Sequence, residues 1–214
     1  MPLTAGDRES LTELAPVLRR AVDLDPRSLA RLRLLGESAT VLVRLPFGVL
    51  VSRTVQTAPR SASIDVALRA ADALSWFDDP DTTEPERRDV EWRTALPPPA
   101  GWRRIETVPD DVVRALVRTG ALALKDAAAR EGVPGAQPRA EVADALLDSV
   151  VLTVDDDAGT RAEVTLRALS ALTRMGFLPR GGRVHVDVSG RWVRVVAEYG
   201  TVYLERPGQR LALA

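Results

Sequence analysis

The chain contains no cysteine, so no disulfide, thiolate nucleophile or thiolate metal site is open to it. It holds a single histidine, His185, which has neither a companion imidazole nor a nucleophile to activate. No Gly-x-Gly-x-x-Gly or Walker sequence is present to cradle a phosphate, and no His-Glu-x-x-His or Gly-x-Ser-x-Gly occurs. No uninterrupted apolar run approaches the roughly 18 to 20 residues that a spanning helix needs. The opening "MPLTAGDRES" lacks the basic-then-apolar pattern of a secretion signal, so the expected location is the cytoplasm, with no membrane partner.

What is present has a globular balance. The 214 residues are 45% hydrophobic and 28% charged, enough for one large domain or two small ones. Lys125 is the only lysine; the arginine, alanine and valine content reads as the coding bias of a GC-rich bacterial genome. The net charge of −1 hides an uneven distribution. Residues 108–160 hold 5 basic and 10 acidic side chains, whereas 161–214 hold 9 basic and 4 acidic. Either the two blocks face one another, within the fold or across a dimer, or the basic block meets a phosphate backbone.

The stretch "DDPDTTEPERRDVEWRTALPPPAG" carries five prolines and acidic runs without periodicity, which marks a linker, taken as 80–106, between domains 1–79 and 107–214. In the first domain "LTELAPVLRRAVDL" has helical spacing, with Pro16 a kink or a first-turn residue. "SLARLRLL" reads as a strand turned by Gly36. A loop at Pro46, Phe47 and Gly48 then pairs Leu45 with Val49, Val43 with Val51 and Val41 with Arg53. "SIDVALRAADALSWF" reads as a helix on which Ile64, Leu68, Ala71 and Leu74 share a face.

In the second domain Thr107 reads as the N-cap of a helix that ends near Gly132, with Pro109 in its first turn. Gly120, Ala123, Ala127 and Ala128 give it a small side suited to close helix packing, including against a second copy. A shorter helix over 139–148 buries Val142, Ala145 and Leu146. "SVVLTV" and "RAEVTL" form a hairpin around a polar loop, and the helix "RALSALTRMGF" leads into "RVHVDVSGRWVRVVAEYGTVYLER". Two-residue turns at Ser189–Gly190 and Tyr199–Gly200 set Val186 opposite Val193 and Val195 opposite Leu204. One face is then apolar, and the other carries Arg183, His185, Asp187, Trp192, Arg194, Val196, Tyr203 and Glu205. The expected fold is α+β: two small domains, each of helices packed on an antiparallel three-stranded β-meander.

Two motifs invite comparison. "VVLTVDDDAGT" resembles the nucleophile strand of haloacid-dehalogenase-type phosphatases, but Gly159 stands where that pattern needs threonine, and no lysine follows. Asp155 to Asp157 therefore read as a solvated hairpin loop. "KDAAAREGVPGAQPRAEVADALL" with the later strands resembles a divergent winged-helix module, although its recognition segment lies in the acidic block.

The first expectation is thus a non-catalytic protein without cofactor, working through protein contacts and self-association as a homodimer. The second is nucleic-acid binding through the polar sheet face, on which Arg183, His185, Arg191, Trp192, Arg194 and Tyr203 are the candidate binding residues. On the first expectation, Arg194 and Glu205 form a cross-strand ion pair on that face.

Overall fold

The computed structural model describes residues 5–59, 63–79, 83–129 and 139–205. The chain divides into two units, Met1–Leu96 and Pro97–Ala214, each a mainly antiparallel α+β assembly. The division falls inside the stretch expected as a linker, because residues 88–91 and 103–106 of that stretch take part in structure.

The first unit runs α1 (Ala5–Thr12), α2 (Ala15–Leu24), β1 (Leu29–Leu35), β2 (Ser38–Arg44), β3 (Leu50–Gln56), β4 (Ile64–Arg69) and α3 (Ala70–Asp78). Its strands lie in the order β4-β1-β2-β3. The helix expected over 11–24 is broken: Pro16 sits in the first turn of α2, where its missing N–H costs no hydrogen bond. Ala15, Val17, Leu18 and Ala21 of α2 are buried, and α2 packs on α3. β2 and β3 join Val43 to Val51 and Val41 to Arg53, and Gly48 supplies the left-handed position at φ +86°.

The helix expected from Ser63 to Phe77 begins only at Ala70. Ile64, Val66 and Leu68 alternate inward as a fourth strand, and the helix after them buries Ala73, Trp76 and Phe77 rather than Ala71 and Leu74. Residues 88–89, expected in the linker, bind this strand. The Arg88 N–H donates to the Ala67 carbonyl at 2.7 Å, and the Ala67 N–H donates to Asp89 Oδ1 at 2.7 Å.

The second unit runs β5 (Arg103–Pro109), α4 (Asp110–Ala129), α5 (Arg139–Asp148), β6 (Val150–Asp155), β7 (Arg161–Thr165), α6 (Leu166–Arg174), β8 (Arg183–Ser189), β9 (Trp192–Ala197) and β10 (Gly200–Glu205). Its main sheet has the order β10-β9-β8-β5, and β6 pairs with β7 separately. Each unit therefore carries four strands in its main sheet, one more than expected. The fourth here is β5, which turns the expected N-cap Thr107 into a strand residue opposite His185. The expected helix end near Gly132 lies outside the described residues.

Leu166, Ala168, Leu169, Ala171 and Leu172 of α6 are buried. Of the expected small side of α4, Gly120 serves the same core: a Cβ on it would lie 2.4 Å from both Leu166 δ-carbons, so the glycine lets α4 approach α6, whereas Ala123 is exposed and Ala127 only half-buried. α5 leaves Ala145 exposed and only half-buries Val142 and Leu146. The acidic and basic blocks meet inside this unit, where Arg167 binds Asp144 at 3.0 Å and Asp148 at 2.7 Å. No helix among the described residues is long and apolar enough to cross a membrane.

The two units use the same pieces in different order. In each, a helix leads into three successive strands, α2-β1-β2-β3 and α6-β8-β9-β10. In each, an edge strand pairs with the first of those three and runs directly into a helix, β4-α3 and β5-α4. In each, the two helices pack together. The edge-strand piece follows in the first unit and precedes in the second, so these two pieces, apart from α1 and the intervening α5-β6-β7, are arranged as circular permutations of one another.

Candidate functional site

The polar face of β10-β9-β8-β5 gathers the side chains singled out by the alternation of the C-terminal strands. Its register differs from the expected one: Val186 faces Val195 and Val195 faces Val202. The turns are Gly190–Arg191 and Glu198–Tyr199. Gly190 takes φ +53° at the first central position, the place of glycine in a type II′ turn. Each pairing has slipped by two positions in total, an even number, so every side chain keeps its expected face.

At the centre of this face lies Asp187, 2% exposed. Its Oδ2 accepts from Arg194 Nε at 2.9 Å and lies 2.8 Å from Arg194 Nη2, and its Oδ1 accepts from Arg104 Nε at 3.2 Å. Arg104 is held directly opposite Asp187 by the β5–β8 pairing, and Arg194 by the β8–β9 pairing. The Arg194 guanidinium lies over the Trp102 ring, 4.4 Å from its centroid, a distance at which the cation is attracted to the ring face. Trp102 is fixed in turn by donating its indole N–H to the Pro98 carbonyl at 2.9 Å and by Tyr203, whose ring centroid is 6.0 Å away.

His185 stands beside this cluster, with Nδ1 2.9 Å from Thr107 Oγ1. Burial pushes its pKa below the usual 6.5; the nearby Arg104 and Arg183 act in the same direction, and Asp187 opposes them. The imidazole is therefore neutral in the fold at a pH where the unfolded chain already binds a proton. Stability is fully present above about pH 6.5 and is lost as pH falls through that value toward the lower folded pKa. His185→Gln removes this part. Thermal unfolding of the two chains between pH 8 and pH 5 should diverge only on the acid side, the natural chain losing more; parallel profiles would refute the assignment.

The remaining candidates are placed differently. Arg191 sits in the β8–β9 turn and pairs with Glu205 at 3.0 Å, both side chains being largely exposed. Glu205 thus takes Arg191 and not Arg194, so the expected cross-strand pair is replaced by Arg194–Asp187. Trp192 is 7% exposed and unavailable as a stacking platform. Arg183 is exposed at the start of β8. The structure thus brings together His185, Arg194 and Tyr203, and adds Trp102, Arg104 and Asp187 to them. Trp102 and Arg104 escape the sequence reading because they fall in the presumed linker.

The first unit has a related cluster with the charges exchanged between the equivalent strands. There the edge strand supplies the carboxylate, Asp65, and its neighbour β1 supplies Arg31 at 2.6 Å and Arg33 at 3.4 Å. Arg31 lies 6.0 Å from the ring centroid of Trp92. Among the described residues no group of three or more His, Asp or Glu side chains is placed to hold a metal ion. The hairpin loop after β6 is held by Asp156, whose Oδ1 accepts from the backbone N–H of Ala158 and Thr160.

The profile of the family described as "Domain of unknown function (DUF8185)" matches residues 97–209, which contain the whole Trp102–Arg194–Asp187 cluster. The chain belongs to this family. A second profile, "Domain of unknown function (DUF8010)", matches residues 1–95. The two matches meet where the chain divides into its units. No curated protein matches.

Among solved structures, the chain shares its fold with bacterial sliding clamps. A DNA polymerase sliding clamp from Caulobacter crescentus superposes with a TM-score of 0.57 at 12% identity, over 92% of this chain and 63% of that one. The DNA polymerase III subunit beta from Pseudomonas aeruginosa gives 0.54 at 10% identity, over 92% and 62%. The Helicobacter pylori beta clamp bound to a DNA ligase peptide gives 0.53 at 10% identity, over 92% and 64%. The chain thus shares a clamp-type fold, and it spans less than two thirds of each of these proteins.

Proposed function

We propose that this chain is a non-catalytic cytoplasmic protein that works by holding protein partners, itself included as a homodimer. The observation that carries this reading is the clamp-type fold over 92% of the chain, one of the matched structures being a clamp with a bound DNA ligase peptide. The candidate surface on β8–β10 fits it. Arg104 and Arg194 bring two positive charges against one buried carboxylate, leaving a net positive, aromatic-rimmed face suited to acidic and apolar side chains of a partner.

The engagement of those arginines weighs against the nucleic-acid reading. Arg191 and Arg194 would have to release Glu205 and Asp187 to give their full donor sets to phosphate.

Sedimentation velocity over a concentration series, with cross-linking in growing cells, tests the proposal. The expected result is a concentration-dependent dimer and protein cross-links that survive nuclease. Fluorescence anisotropy with labelled single- and double-stranded oligonucleotides should show no binding at low salt. Micromolar binding that weakens steeply with salt, in a chain that stays monomeric, would replace this reading with nucleic-acid binding.

A further inference from the structure

We propose that the open edge of β4 at Asp65 is a docking site for an extended peptide segment of a partner protein, one that carries an apolar anchor side chain. Along an antiparallel strand, residues whose N–H and C=O face the neighbouring strand alternate with residues whose groups face away. Ala67 is of the second kind, since its N–H and carbonyl are bound by Asp89 and Arg88 from outside the sheet. Asp65, two residues earlier and opposite Arg33, therefore also turns its N–H and C=O outward. Among the described residues neither group is bonded, and Asp65 is exposed.

These two backbone groups open beside a cleft of about 310 Å³. Its apolar wall is Ile64, Val66, Leu68 and Trp76, and Glu84 and Arg87 stand on its rim. Three features select the occupant. An outward-facing N–H and C=O on one strand residue are met in full by another extended backbone, because a helix has already spent its own groups. Residues 88–89 of this chain already occupy the adjoining outward pair at Ala67, in line with the one at Asp65. The rim charges pair with each other at 3.6 Å, and Asp65's carboxylate is held by Arg31 and Arg33. Among the described residues the charges around the cleft are thus compensated and select no ionic anchor, and the apolar wall takes an aliphatic or aromatic side chain. This inference rests on the reading that the chain works through protein contacts.

The test is selection of a phage-displayed library of random linear peptides on the full chain, followed by anisotropy of the enriched peptides against three variants. Asp65→Pro removes the outward N–H and is tolerated on an edge strand. Ser63→Trp, at an exposed position on the cleft, plugs it without touching the core. Asp65→Ala removes the carboxylate and keeps the N–H. Enriched peptides should share an apolar residue within a β-prone sequence. They should lose about tenfold in affinity with Asp65→Pro and with Ser63→Trp, and bind Asp65→Ala as they bind the natural chain. Thermal unfolding establishes that each variant is folded. Failure to enrich, or equal affinity for Asp65→Pro and Ser63→Trp, would overturn the site. Sedimentation and cross-linking would still decide the broader reading, so the two can fail separately.

Discussion

Asp187→Ala is expected to destabilise the chain by about 2–4 kcal/mol, a large effect for the loss of one polar side chain. Breaking a buried ion pair by removing one partner costs about 3–5 kcal/mol, because the remaining charge stays desolvated without compensation. Asp187 is buried, but its partners are less so: the side chains of Arg194 and Arg104 are 27% and 53% exposed, and water recovers part of the loss. Arg194 loses more than Arg104, since its head is covered by Trp102 and cannot turn to solvent without leaving the ring. The double variant with Arg194→Met should therefore be more stable than the sum of the single changes implies, by about 1–2 kcal/mol. Urea unfolding of the four chains measures both quantities. An Asp187→Ala loss below 0.5 kcal/mol would mean that the cluster is a solvated surface pair.

The Asp187 cluster also marks where sequence reasoning stops. Asp187 interrupts the run Val184, Val186, Val188 from the opposite face, and the alternation alone places it beside His185 and Arg194. That alternation survives an error in register, because a slip by an even total leaves every face intact. The slip itself arises at Gly190, which occupies the first turn position although a two-residue turn could equally use it as the second. What the alternation cannot supply is a strand whose own pattern is disguised. In β5 the inward residues Ile105 and Val108 are three apart, because the pairing with β8 shifts between Arg104 and Glu106. With Thr107 and Pro109 mimicking a helix start, the strand vanishes into the linker and takes Arg104 with it. The one local signal is the short Arg-Arg-Ile-Glu-Thr-Val run after Trp102 and a turn glycine.

β4 is hidden for a different reason. Ile64 and Leu68 are four residues apart, a spacing that suits one face of a helix and one face of a strand alike, and Ala71 and Leu74 continue only the helical series. The β-branched Ile64 and Val66 favour the strand, and tertiary pairing with β1 decides it. The β2–β3 hairpin escapes such ambiguity because its loop is chemically determined. Proline fixes one backbone angle, glycine supplies the left-handed residue, and the flanking valines then have one register that buries them together. The parts of this chain that local chemistry determines are thus the β2–β3 loop and the alternating faces. The edge strands depend on neighbours distant in sequence, and both clusters of arginine, carboxylate and tryptophan are built on edge strands.

Gly200→Ala is expected to cost about 1–3 kcal/mol by overpacking, although alanine is usually the better residue in a strand by about 0.5–1 kcal/mol. Gly200 begins β10 with no left-handed angle, so its requirement is space and not backbone freedom. A Cβ there would stand 2.5 Å from Cζ and 2.6 Å from both ε-carbons of the Phe177 ring. The ring cannot yield cheaply. Phe177 is 1% exposed, its N–H is bound to the Leu172 carbonyl at 2.9 Å, and its carbonyl accepts from Tyr199 N–H at 3.3 Å, beside the very turn that delivers Gly200. A contrasting change is Gly190→Ala, where a Cβ would meet nothing within 4 Å and the only penalty is the left-handed angle, about 1 kcal/mol. Phe177→Leu, destabilising alone through lost packing, should be less so in combination with Gly200→Ala, because the smaller side chain vacates the space that the new methyl needs. Urea midpoints of the four chains test this. A coupling of opposite sign, or a neutral Gly200→Ala, would show that the strand start moves freely against α6, and that Gly200 is not where the sheet is locked to the helix layer.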